Sequence, residues 1–165
     1  MRVGEALGLR HEDWAVSDRE VMVVARLNDN GARSKSGRPR AIPVSVDLVR
    51  LYADYMHSEY GDLDSDYVFV NLWGEPRGHP MSYPAVYDLI RRLGVRTGVE
   101  FDPHWFRHTY ATRMLRCETP VEVVSKLLGH AAVTTTLDVY GHLSVEDARR
   151  VLENAGWFTD SGVRL

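Results

Sequence analysis

Four short segments hold side chains whose types and spacing could do chemistry on a phosphate. Arg2 and Glu5 lie three apart, so a helix would place them on one side. Alone, such a pair is an ordinary surface ion pair worth about 0.2–0.5 kcal/mol. Ser34-Lys35-Ser36-Gly37-Arg38, with Arg33 and Arg40 beside it, is a basic stretch that by itself reads as a solvated turn. His104-Trp105-Phe106-Arg107-His108 is more pointed, because His104 and Arg107 also lie three apart. A guanidinium forks onto two phosphate oxygens and an imidazole can donate to the same group, whereas the two make a poor core pair. His104 and His108 have the i,i+4 spacing of helix-borne zinc ligands, but Trp105 stands where such motifs carry glutamate and no third ligand is evident. His108 is therefore expected to be a packed, supporting residue. Last come Leu127-Leu128-Gly129-His130 and, ten residues on, Tyr140. A phenol of pKa about 10 attacks only where cations stabilise the phenolate or a base takes its proton.

The elements that must position these groups follow from periodicity. Residues 2–9 read as a helix with Val3, Ala6 and Leu7 on one face. Residues 20–27 (EVMVVARL) are β-branched and read as a strand, residues 40–44 as its partner, and residues 28–39 as a long hairpin loop. Ser45 caps a helix bearing Leu48, Leu51, Tyr52, Tyr55 and Met56 and stopped near Gly61. Residues 67–70 read as a short buried strand. Helices follow at about 82–93, 104–116, 120–128 and 134–140, with Pro120 in a first turn. Ser144 starts a last amphipathic helix with Val145, Ala148, Leu152 and Ala155 on one stripe, stopped by Gly156. The expected fold class is α+β, mostly helical, with a small antiparallel sheet near the N-terminus. Residues 1–155 are expected as one domain and residues 156–165, with Trp157 and Phe158, as a C-terminal tail.

Composition narrows the function classes. At 165 residues the chain has the size of one domain. With 44% apolar and 26% charged residues it is too apolar for a disordered chain and too charged for a membrane protein. No run approaches the roughly 18 apolar residues of a spanning helix, and no signal core opens the chain. The single cysteine, Cys117, excludes an internal disulfide and a cysteine-rich zinc module, which suits a cytoplasmic protein. The net charge of −3 argues against nonspecific coating of nucleic acid. Its distribution still allows a basic face: Arg33, Lys35, Arg38 and Arg40 in the loop, and Arg107, Arg113 and Arg116 along one helix.

In chain order the four segments give R-x-x-E, a hairpin lysine, H-x-x-R-H, G-H and a tyrosine. This order resembles the tyrosine recombinase (phage integrase) family. RVGEALGLRHEDW resembles its first arginine box, HWFRHTYAT its second, and LLGH…TTTLDVYGHL its third. The resemblance implies a site-specific DNA recombinase catalytic domain that cleaves and rejoins DNA through a 3′-phosphotyrosyl bond. Its catalytic set carries over as Arg2, Lys35, His104, Arg107, His130 and the nucleophile Tyr140, with Glu5 and His108 in support. Arg33, Arg38, Arg40 and Arg113 are then the DNA-binding cations. Arginines supply the charge a metal would otherwise supply, so neither metal nor cofactor is implied. The partners implied are double-stranded DNA and further copies of the protein on it, in a tetrameric synapse to which the C-terminal segment contributes by passing to a neighbour. Two other readings fit the same residues: an inactive DNA- or partner-binding fragment, and a type IB topoisomerase-like enzyme. A helix opening at the first residue has no upstream cap, and the family's N-terminal DNA-binding domain has no counterpart here, so the chain reads as part of a longer protein.

Overall fold

The computed structural model describes residues 1–34 and 37–130. Lys35, Ser36, Tyr140, the helices expected at 134–140 and 144–155 and the tail 156–165 lie outside the described residues. Three antiparallel strands pair in the order β1 (Trp14–Ala15), β2 (Glu20–Val23), β3 (Arg40–Pro43). In the β2–β3 register Glu20 faces Pro43 and Val23 faces Arg40. The strand expected over 20–27 ends at Val23, where its pairing with Arg40 closes the ladder. β1 is only two residues long, too short for periodicity to reveal. Residues 67–70 form no strand; they make single bridges, Arg10 to Tyr67 and Val70 to Pro80.

Helix boundaries follow local chemistry. α1 (Val3–Leu7) is shorter than the 2–9 expected, with Arg2 at its N-cap in extended conformation (φ −89°, ψ 158°). α2 (Val46–Tyr55) is capped by Ser45, whose Oγ accepts from the Leu48 N–H at 3.2 Å. It runs into a π-helical turn, Met56–Tyr60, and stops at Gly61 with φ +59°. α3 (Tyr83–Thr97) follows its Ser82 cap, passes through Gly94 and ends only at Gly98, which takes the left-handed conformation (φ +71°). The expected stop near residue 93 fails because one interior glycine costs about 1 kcal/mol, too little to break a packed helix. α4 (Pro103–Arg116) is capped by Asp102, whose Oδ1 accepts from the His104 N–H at 2.7 Å. α5 (Val121–Leu128) has Pro120 at its N-cap, one position ahead of the first turn.

The chain divides into two compact units at Arg107/His108. In the first, Leu9, Val21 and Val68 are buried with Trp14, Tyr52 and Tyr55 around them, and Tyr60, Tyr67 and Val70 form a second cluster. The tyrosine hydroxyls stay satisfied inside: Tyr60 donates to main-chain carbonyls of the 65–67 turn and Tyr55 to the Val68 carbonyl at 2.8 Å. In the second unit Ala111 of α4 packs with Val124 and Leu128 of α5, with Met114 and Leu115 beside them. Among the described residues no helix is long and apolar enough to cross a membrane.

Gly4 lets α1 lie close to its neighbours. A Cβ there would run into the Tyr83 hydroxyl and within 2.5 Å of the Arg33 carbonyl oxygen. Gly4→Ala should destabilise the chain by about 1–3 kcal/mol, read as a lower urea midpoint at unchanged slope. An unchanged midpoint would mean α1 yields freely at this contact.

Candidate functional site

Glu5 is the centre of the site. α1 turns its side chain inward, to 0% exposure, where a lone carboxylate would be costly. Two guanidiniums meet it. Arg40 places Nη2 2.7 Å from Oε2 and Nη1 3.3 Å from Oε1. Arg2 gives its backbone N–H to Oε2 at 2.8 Å and Nη1 to Oε1 at 3.3 Å. The Ser34 hydroxyl donates to Oε1 at 3.5 Å. Burial pushes the Glu5 carboxyl up, but the hydrogen bonds and charges of Arg40 and Arg2 outweigh it and hold its pKa below the ordinary value.

Arg107 belongs to the same electrostatic neighbourhood. Its side chain is buried, 7% exposed, near the end of the first unit. The Met1 amine is lowered to about 6 by burial and then by the charge of Arg107; Arg40 and Arg2 also lower it, and Glu5 opposes them. One amine thus senses Arg2, Glu5, Arg40 and Arg107 together. The fold brings Arg2 of the first arginine box and Arg40 of β3 together on Glu5.

The other expected residues are placed as follows. His104 is exposed on the first turn of α4, one turn before Arg107. Arg33 and Arg38 are exposed on the loop. Arg40 departs from the basic-loop expectation: it is in β3, 8% exposed, and its guanidinium faces Glu5 instead of solvent. In the second unit Arg113 is exposed. His108 is exposed as well, contrary to the packed role expected for it; the packed stripe starts at Ala111, a turn later. His130 is half-buried and follows the stop of α5, where Gly129 takes φ +66° and the His130 N–H reaches the Ser125 carbonyl at 3.1 Å. The glycine of L-L-G-H is thus a left-handed helix stop that fixes the backbone entering the histidine. Lys35 and Tyr140 lie outside the described residues.

Two contributors have no signal in residue spacing. Arg40 is 35 positions from its partner Glu5. Asn30 donates through Nδ2 to the carbonyls of Leu7 at 3.0 Å and Met81 at 2.9 Å, and its Oδ1 accepts from the Ala32 N–H. It clasps the end of α1, the approach to α3 and the base of the basic loop.

Known proteins resemble the chain over most of its length. The phage integrase family matches residues 1–147, which include every box quoted above. Transposase A from transposon Tn554 of Staphylococcus aureus is 44% identical over 151 residues, 90% of this chain and 42% of the transposase. Tyrosine recombinase XerD of Mycobacterium tuberculosis is 31% identical over 159 residues, 93% of this chain and 47% of the recombinase. The chain spans less than half the length of these curated relatives. Among solved structures, the XerA recombinase matches at a TM-score of 0.70 and 27% identity, covering 93% of this chain and 53% of its own. The Tn1549 transposon integrase in complex with circular intermediate DNA matches in fold at a TM-score of 0.72 and 22% identity, covering 94% and 56%. A mostly helical chain with a three-stranded sheet, Arg2 and Arg40 meeting on one glutamate and a family match running from the first residue past Tyr140 lead to one assignment: the chain belongs to the phage integrase family.

Proposed function

We propose that the chain is a catalytic domain of a site-specific DNA recombinase, cutting and rejoining duplex DNA without metal or cofactor. What supports this reading is the phage integrase family match over residues 1–147 together with the buried Glu5 carboxylate that Arg2 and Arg40 both hold. The Tn1549 integrase, a fold relative, is seen with DNA, and duplex DNA is the partner carried over here.

In the proposed reaction Arg2 and Arg107 hold the two nonbridging oxygens of one phosphate and stabilise the charge that grows on them in the five-coordinate transition state. His104 donates a hydrogen bond to the same phosphate. The Tyr140 oxygen attacks phosphorus, His130 takes or orients its proton, and the 5′-oxygen leaves with a proton from Lys35. One phosphodiester is exchanged for another, so the reverse attack by a 5′-hydroxyl reseals the strand without an energy source. Arg33, Arg38 and Arg113 contact the DNA backbone. Strand exchange follows in an assembly of several copies on two duplexes, inside the cytoplasm.

A nicked duplex that loses its 5′-hydroxyl fragment on cleavage tests the proposal, because the covalent protein–DNA adduct then accumulates. A denaturation-resistant adduct supports it; DNA binding with no adduct leaves a binding fragment. The general acid has its own test. Lys35→Ala should slow cleavage of ordinary DNA by about 10²–10⁴-fold. A substrate with sulfur at the 5′-bridging position has a leaving group that needs no proton, and should restore most of the rate. An equal defect on both substrates would remove Lys35 from that role and turn attention to Arg33 or Arg38.

A further inference from the structure

Arg40 holds Glu5 more firmly than Arg2 does, and the asymmetry bears on the charge available at the site. A carboxylate has about four lone-pair sites. Arg40 grips both Glu5 oxygens, Oε2 at 2.7 Å and Oε1 at 3.3 Å, which fixes the plane of the carboxylate as well as its position. The grip starts from a rigid place, because Arg40 stands in β3 opposite Val23. Side-chain exposure rises from 6% at Arg40 and 0% at Glu5 to 25% at Arg2. The order is anchor, relay and working end.

Charge follows the same order. With Arg40 making the short contact, Glu5 is largely neutralised by the anchor. Were Arg40 uncharged, the whole of Glu5 would fall on Arg2, drawing its guanidinium inward and cancelling its attraction for an anion.

The geometry points to Arg40 as a positioning residue: by clamping Glu5 it fixes the Arg2 guanidinium and keeps its charge available to the phosphate. The consequence for cleavage rests on the function proposed above; the positioning itself does not. The test uses the full chain with 15N-labelled arginine, the Arg2 Nε–Hε signal being identified by its loss in Arg2→Lys. Arg40→Lys keeps a charge in β3 but replaces the fork with a single point. Arg40→Met removes the charge and keeps the length.

In both variants the Arg2 signal should shift and broaden while the backbone amides of Leu9, Val21 and Val68 stay in place. Cleavage of ordinary DNA should fall about tenfold in Arg40→Lys. Much of that loss should disappear on DNA carrying a neutral methylphosphonate at the scissile position, where less is asked of Arg2. A merely structural defect would slow both substrates alike. An unmoved Arg2 signal, or core amides that move with it, overturns the proposal, and so does unfolding of both variants, which would make Arg40 a stability residue only. If the Arg2 signal moves as expected but the native chain cleaves neither substrate, the positioning stands and the recombinase reading falls.

Discussion

Tyr140→Phe should leave the chain folded and bound to DNA and take the covalent adduct below detection. Phenylalanine keeps the ring and removes the one oxygen that can attack phosphorus. Loss of a nucleophile that no neighbouring group replaces is expected to cost on the order of 10⁴-fold or more in cleavage. The measurement is adduct formation on the nicked duplex, with DNA binding followed separately by gel shift. Tyr110 provides the internal contrast. It is 46% exposed on α4, in the box beside Arg107, and Tyr110→Phe should form adduct at close to the native rate. Normal adduct from Tyr140→Phe, or its loss from Tyr110→Phe instead, would reassign the nucleophile.

The second large effect is on stability. Glu5→Ala leaves the Arg40 guanidinium in the interior without its carboxylate, and breaking a buried pair from one side costs about 3–5 kcal/mol. Adding Arg40→Met to that background removes the stranded charge and should recover most of the loss. If the double variant is no better than Glu5→Ala alone, the carboxylate stabilises through α1 and the Arg2 contact instead. The pair also fixes a pH dependence. The folded pKa of Glu5 lies below its unfolded value, so the stability it confers is fully present above the unfolded pKa, about 4.3. It is lost as pH falls through the folded value. Urea unfolding of native chain and Glu5→Gln from pH 7 down to pH 3 should show their difference shrinking at the acid end. A difference that stays constant over that range would mean the Glu5 charge adds nothing to folding.

Arg40 shows the boundary between what was legible and what was not. In the sequence it is one of several cations around a hairpin turn, indistinguishable from Arg33 and Arg38. In the fold the β2–β3 register places it on the inner side of the sheet, facing Glu5. His108 goes the opposite way: with a zinc motif set aside it was expected to pack or support the site, and its side chain is exposed. In both cases the residue type and the local element are right, and the face is wrong.

The sequence by itself determined the features that depend on a few neighbouring residues. Ser45 caps its helix, Gly61 stops the helical run that follows it, and β2 pairs with β3 across a long loop. The order of the boxes, from Arg2 through His104 and Arg107 to His130 and Tyr140, was equally visible and carried the family. Only the tertiary structure decided that Glu5 takes two arginines and that Asn30 clasps three segments. Caps, stops and periodicities are satisfied within one or two turns of chain, so local composition records them. A buried charge finds its partner only when strand register and helix packing bring distant positions together, and no spacing along the chain encodes that meeting.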